Sequence, residues 1–257
     1  MKIIITLSFL ILAIISFSQT KFIAHRGASF LAPENTIASA KLGWELGADA
    51  VEIDIHLSMD NRVMVIHDKN TKRTCKGKNM EVKSSPSTLL RDLDAGSFKD
   101  EKFKGEKIPF LSEVIEIIPE NRKLVIELKS GSDIIPQVKR VVEKTSKSEQ
   151  LVFISFNWDA IVKTKSEFPD NACYWLSALK PGLKKRMEKA AEIGLEGVNL
   201  RFSLIDEKIM ALANELGLEI LSWTVDDPKE AKRLSELGVK QITTNRPKWL
   251  KEELDKL

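Results

Sequence analysis

The stretch Ala50-Val51-Glu52-Ile53-Asp54-Ile55-His56-Leu57-Ser58-Met59-Asp60-Asn61-Arg62-Val63-Met64-Val65-Ile66-His67-Asp68 decides the fold. Ala50–Ile55 and Arg62–Ile66 are apolar, β-branched runs that read as buried strands. Only a few residues around Met59-Asp60-Asn61 separate them. A parallel crossover needs a dozen or more residues, so the second run must return beside the first as a hairpin. Arg62–Ile66 is therefore set aside as a protrusion after the second strand, one that brings His67 back over the end of that strand.

Outside this hairpin, strand-like and helix-like segments alternate. Strands are expected at Phe22–Ala24, Ala50–Ile55, Leu124–Leu128, Leu151–Ser155, Ala172–Leu176, Gly197–Leu200, Glu219–Val225 and Gln241–Thr243. Helices are expected from about Thr36 to Leu46, Ile134 to Lys144, Trp158 to Glu167, Pro181 to Ile193, Ile205 to Leu216, Pro228 to Leu237, and from Pro247. Gly47, Gly194, Gly217 and Gly238 follow helix ends, and Pro228 and Pro247 open helices, the usual asymmetry. Eight such units predict a (β/α)8 barrel, with an open doubly wound sheet as the alternative. The segment from about 58 to 110 reads as an insertion after the second strand. Beyond His67 it is polar and irregular until a helix at Leu111–Ile118, and a loop of this length beside a barrel mouth is expected to cover a site.

Residues 1–18 fall outside this pattern. Lys2 precedes an apolar run from Ile3 to Phe17, and Ser16 and Ser18 are small residues suited to a signal peptidase. The run is short for a membrane span and right for a signal-peptide core. Cleavage before Gln19 is expected, giving an exported protein, periplasmic or secreted, with no stable membrane span. Residues 19–257 suit one barrel domain of about 250 residues. Lys plus Arg (40) nearly balances Asp plus Glu (37), and the lysines are dispersed, which gives no basis for nucleic-acid binding. Cys75, in a polar loop, and Cys173, in an apolar run, make no disulfide framework. No oligomeric state follows from the sequence.

Chemistry concentrates at the strand ends. Glu52 and Asp54 are two apart in a strand and face the same way. Glu127, from the next barrel strand, completes an all-oxygen set. Such a set either binds a hard cation, Ca²⁺ or Mg²⁺, or forms salt bridges to Arg26 and Lys129. His25 and His67 come from different strand ends and can act as an acid/base pair. Asp68 is adjacent to His67, but neighbouring side chains in a strand diverge. His56 shares the face of Glu52 and Asp54 as a neighbour of the site. Arg26 and Lys129 suggest an anionic, phosphate-bearing substrate. There is no P-loop, G-x-S-x-G elbow or zinc-type His/Cys cluster. Phe156 and Trp223 lie where a barrel places its substrate loops. Trp158 and Trp175 are assigned to packing.

His25-Arg26-Gly27, Pro33-Glu34-Asn35-Thr36, Glu52-x-Asp54, His67-Asp68 and Glu127-x-Lys129 occur in this order over nearly the whole chain, and the set resembles the glycerophosphodiester phosphodiesterases. The resemblance implies a (β/α)8 barrel with an insertion after the second strand. It implies hydrolysis of a small-molecule glycerophosphodiester to glycerol 3-phosphate and an alcohol. It implies a divalent cation on Glu52, Asp54 and Glu127, acid/base histidines at His25 and His67, phosphate contacts from Arg26 and Lys129, and Trp223 near the glycerol. Glu34 takes a secondary role, and Asn35 is expected to cap the first helix. Relatives usually carry Asp where Asn245 stands, and Asn there can still cap the last helix. The nucleophile is water or, as in the related phospholipases C, the glycerol 2-hydroxyl. Other readings keep the barrel and change its use: a lysophospholipase D, a polymer-directed phosphodiesterase, a silent binding barrel, or a carboxylate-based glycosidase.

Overall fold

A computed structural model describes residues 20–257. The run read as an export signal lies outside the described residues. In chain order the elements are β1 Lys21–Ala24, α1 Ile37–Glu45, β2 Ala50–Leu57, β3 Val63–Val65, α2 Ser87–Arg91, α3 Leu111–Glu116, β4 Lys123–Leu128, α4 Ile135–Val142 and β5 Leu151–Ser155. They continue as α5 Trp158–Glu167, β6 Ala172–Ser177, α6 Leu183–Glu192, β7 Gly197–Arg201, α7 Glu207–Leu216, β8 Glu219–Trp223, α8 Pro228–Glu236, β9 Gln241–Thr244 and α9 Pro247–Leu254.

The sheet runs β1-β9-β8-β7-β6-β5-β4-β2, and β1 pairs again with β2, which closes an eight-stranded parallel barrel. β3 lies antiparallel on the end of β2, with Ile55 opposite Val65 and Leu57 opposite Val63. The fold is thus the (β/α)8 barrel, and the hairpin return after the second strand is present.

Each barrel strand sorts its side chains by parity. One set, including Val51, Ile53, Ile126, Phe153 and Val198, packs outward against the helices in the main core. The other set points inward: Ile23, Ala50, Val125, Ile154, Tyr174, Leu176 and Leu221 fill the barrel interior. Both faces are buried, so the strands are buried along nearly their whole length and do not alternate with solvent-facing positions.

Four local expectations change. Helix α1 is capped by Thr36, not Asn35: the Thr36 hydroxyl accepts from Ser39 N–H while Ser39 Oγ accepts from Thr36 N–H. Asn35 is left-handed, with φ +57°, and its side chain turns to β2. Asn245 does not cap α9, whose N-cap Arg246 makes no side-chain bond. α6 starts at Leu183, two residues after Pro181, because Gly182 adopts φ +73° and turns the chain first. The segment after His67 is more ordered than its composition suggests. Met64, Ile66, Cys75, Val82, Leu90, Leu93, Ala95 and Ile108 form a small core of their own. Asp94 ties this segment by accepting from Gly96 N–H, Ser97 N–H and hydroxyl, and Gly105 N–H.

Both thiols are free and buried, Cys75 in this small core and Cys173 in the main one. No helix among the described residues is long and apolar enough to cross a membrane.

The turn from β1 into α1 is tightly made. Arg26 has φ +54° and Gly27 φ +79°. A Cβ on Gly27 would sit 2.4 Å from the Ser39 carbonyl carbon. Gly27→Ala is therefore expected to cost about 1–3 kcal/mol, from the left-handed backbone and the clash together. Denaturant unfolding checks this, and an unchanged midpoint would refute it.

Candidate active site

The inward parity that fills the barrel continues past the strand ends. Ile23 leads to His25, Ala50 to Glu52 and Asp54, Val125 to Glu127 and Lys129, Ile154 to Phe156, and Leu221 to Trp223. The interior therefore changes from apolar to ionisable along β1, β2 and β4, and to aromatic along β5 and β8, at the C-terminal mouth. A cavity of about 130 Å³ opens there, lined by His25, Arg26, Glu52, His67, Glu127, Lys129, Phe156, Asn199 and Trp223 among others.

Three carboxylates crowd together here, Glu52 and Glu127 lining the cavity and Asp54 fully buried beside them. Asp54 pairs in register with Glu127 across β2 and β4. One oxygen each of Glu52, Asp54 and Glu127 lies within 4.8 Å of the others. Glu52 accepts from Arg26 N–H at 2.9 Å. Arg26 Nε lies 3.3 Å from Asp54, and Lys129 Nζ lies 2.8 Å from Glu127 and 3.5 Å from Asp54. The salt bridges anticipated as an alternative to a metal site are thus present. They do not neutralise the cluster, since Arg26 also serves Glu34 at 2.9 Å.

The carboxyls show the imbalance. Burial, then Asp54 and Glu127, push Glu52 well above the usual carboxylate range. Burial, then Asp54, raise Glu127 to about 7. Burial also works against ionisation of Asp54, but Arg26 and Lys129 outweigh it and hold that carboxyl low. Buried carboxylates forced together in this way fit a hard divalent cation, which would relieve their repulsion.

The two histidines come from neighbouring strand ends, His25 after β1 and His67 after the hairpin strand β3. His25 Nδ1 bonds Asn245 Oδ1 at 2.8 Å. Burial, then Arg26, lower its pKa. His67 Nδ1 bonds Asp68 Oδ1 at 2.6 Å. The sequence reading gave Asp68 little weight because strand neighbours diverge. His67 lies beyond the end of β3, in a bend, and there adjacent side chains do meet. His56 Nε2 donates to the His67 carbonyl at 3.0 Å, which steadies the His67 backbone.

Several contributors escaped the sequence reading. Arg73, from the insertion, makes two bonds to Glu34 (2.6 and 2.8 Å) and two to Asp68 (2.8 and 3.1 Å). It clips the insertion to the β1–α1 loop, and its hydrogen bonds are the largest influence holding Asp68 at about 2. Glu34, with both oxygens in arginine pairs, is no part of the three-carboxylate cluster. Asn35 Nδ2 donates to Asp54 at 2.9 Å, and Asn35 Oδ1 accepts from Asp54 N–H. Asn199 is buried on the cavity wall, and its Oδ1 has no partner among the described residues. Trp223 donates Nε1–H to the Asn199 backbone carbonyl and meets Phe156 edge-on at 5.3 Å.

Trp158 and Trp175, assigned to packing, stack edge to face 5.7 Å apart beside the main core.

Residues 25–249 match the glycerophosphoryl diester phosphodiesterase family. A glycerophosphodiester phosphodiesterase of Caldanaerobacter subterraneus is 35% identical over 240 residues, covering 90% of this chain and 96% of that one. A phosphodiesterase of Oleispira antarctica, solved in complex with the product sn-glycerol-3-phosphate, is 30% identical with a TM-score of 0.85. That alignment covers 92% of this chain and 97% of the other. A glycerophosphodiester phosphodiesterase of Parabacteroides distasonis aligns with a TM-score of 0.77 at 27% identity, over 93% and 98% of the two chains. Sequence and fold agree over the same span as the cavity-bearing barrel, and the chain belongs to the glycerophosphoryl diester phosphodiesterase family.

Proposed function

We propose that this chain hydrolyses small glycerophosphodiesters to glycerol 3-phosphate and an alcohol, with His25 and His67 as its acid/base pair. The observation that carries the reading is the convergence of both histidines, the three-carboxylate cluster, Arg26 and Lys129 on one cavity. The product bound in the Oleispira antarctica structure supports it.

Glu52, Asp54 and Glu127 would hold the divalent cation, Ca²⁺ or Mg²⁺, while Glu34 takes the secondary role of holding Arg26. When bound, that cation supplies Lewis-acid stabilisation of charge on the phosphoryl oxygens. Arg26 and Lys129 add fixed positive charge at the same mouth. One histidine takes the proton of the attacking hydroxyl, of water or of glycerol C2, as the new P–O bond forms. The other, protonated at the start, gives its proton to the ester oxygen as the old P–O bond breaks. Trp223 and Phe156 wall the glycerol, and the unpartnered Asn199 Oδ1 is an acceptor for one of its hydroxyls.

The test is release of glycerol 3-phosphate from glycerophosphocholine and glycerophosphoethanolamine by residues 19–257, with Ca²⁺, with Mg²⁺ and with chelator. Cation-dependent release is expected. No release from folded protein under either cation would overturn the proposal, and a cyclic phosphate would identify the 2-hydroxyl as nucleophile.

We also propose that residues 1–18 are a cleaved export signal, on the strength of Lys2, the Ile3–Phe17 run and the small residues Ser16 and Ser18. N-terminal sequencing of the exported protein should begin at Gln19. A mature chain beginning at Met1 would refute cleavage.

A further inference from the structure

Asn245 follows β9 and its side chain joins two loops. Its Oδ1 lies 2.8 Å from His25 Nδ1 and 2.9 Å from Ser29 Oγ. Its Nδ2 lies 2.5 Å from Asp226 Oδ2. The other Asp226 oxygen accepts from the Thr244 hydroxyl at 2.7 Å and from Asn245 N–H at 2.8 Å. Asp226 belongs to the loop after β8, so the chain of bonds crosses from one strand end to the next.

These contacts decide where the protons are. An ionised carboxylate only accepts hydrogen bonds. The amide nitrogen of Asn245 must therefore face Asp226, and the amide oxygen must face His25. The opposite orientation would press two acceptors together at Asp226. An amide oxygen also only accepts, so the proton on His25 must sit on Nδ1. In the neutral ring Nε2 then carries a lone pair. Nε2 bonds no other group among the described residues, and His25 lines the cavity.

We propose that Asp226 and Asn245 are positioning residues that lock His25 as its Nδ1–H tautomer and so make His25 Nε2 the acceptor of the nucleophile's proton. His67 is then the donor to the leaving oxygen. The assignment rests on the hydrolytic reading above. It explains how a neutral amide can stand beside His25: the carboxylate is still present, one residue further out, and acts by orienting the amide.

The test compares Asp226→Asn, Asn245→Asp and the reciprocal double variant, each in residues 19–257 with cation. Long-range ¹H–¹⁵N correlation of the His25 ring is recorded beside kcat and KM for glycerophosphocholine. The unsubstituted protein should show Nδ1 protonated and Nε2 unprotonated. Asn245→Asp alone sets two carboxylates against each other, and Asp226→Asn alone leaves the amide free to turn. Each should lower kcat by about 10-fold or more with KM little changed: Asp226→Asn because the base loses its tautomer and orientation, and Asn245→Asp because the repelled carboxylate, still an acceptor for His25 Nδ1–H, no longer holds the ring in place. The double variant restores one amide and one carboxylate in exchanged places, and should recover most of the lost kcat. An Nε2–H tautomer in the unsubstituted protein would overturn the proposal without any variant. A double variant no better than the worse single one would overturn it too. The expected tautomer in a protein that releases no product would instead bear out the positioning and overturn the hydrolytic reading.

Discussion

His67→Ala should lower kcat by about 10²–10⁴-fold, the range a positioned acid or base contributes, and His25→Ala should do the same. The fold should survive both changes. His67 is only partly buried, and its side-chain partner Asp68 keeps its two bonds to Arg73. His25 is half-buried, but Asn245 Oδ1 keeps its bond to Ser29. KM should change little, because the fixed charges of Arg26 and Lys129 remain. The two histidines serve one proton-transfer cycle, so the double variant should be scarcely slower than the worse single variant. Steady-state kinetics with circular dichroism on the three variants measures this. Wild-type turnover in either single variant would remove the acid/base assignment. Losses that multiply in the double variant would show that the histidines contribute independently to one step.

The barrel was legible because its signals are periodic. Each strand is a short β-branched run, each helix is punctuated by Pro, Gly or a capping residue, and the connection between Ile55 and Arg62 is too short for a crossover. The positions of Glu52, Asp54 and Glu127 were legible for the same reason: parity along a strand fixes which side chains share a face.

Parity stops where strands stop, and the reading weakened there. Asp68 reaches His67 because both lie in a bend. Asn35 and Asn245 were read as helix caps because they precede helices. Their side chains instead turn to Asp54 and to His25, Asn35 doing so from a left-handed backbone. The core of the insertion is built from single apolar residues at irregular spacing, so it shows neither helical nor strand period. Arg73 is one cation among 40, and its partner Glu34 is 39 residues away. Asn199 offers no sequence signal, being a polar residue in an ordinary strand. Only its lack of a partner marks it. What the sequence conceals is a set of pairings between distant loops, and these orient the acid/base groups.

Withdrawing divalent cation should destabilise the protein as well as silence it, and more at pH 8 than at pH 5. The sign follows from Glu127, whose carboxyl is raised from its ordinary 4.5 to about 7 by burial and by Asp54. Below about 4.5 the group is protonated in folded and unfolded chains alike. Between about 4.5 and 7 the unfolded chain ionises first, so stability falls as pH rises, and above about 7 the deficit is constant. The deficit is about 3 kcal/mol at most, at 1.36 kcal/mol per unit. Glu52, raised by burial and by its two neighbours, adds in the same direction. Asp54 opposes them, since its low carboxyl stabilises the fold above its ordinary range and loses that effect only as pH falls. A bound cation reverses the deficit, and at a hundredfold excess over Kd it contributes about 2.7 kcal/mol. Its carboxylate ligands must be ionised, so this gain fades in acid. Melting temperatures with Ca²⁺, with Mg²⁺ and with chelator should therefore nearly coincide at pH 5 and separate at pH 8. Glu127→Gln removes one of the mutually repelling charges. It should raise the melting temperature in chelator at pH 8 while abolishing both the gain from cation and the activity. A site kept for stability alone would behave in the opposite way: chelator would change nothing, and Glu127→Gln, by breaking the 2.8 Å bond to Lys129, would lower the melting temperature at every pH.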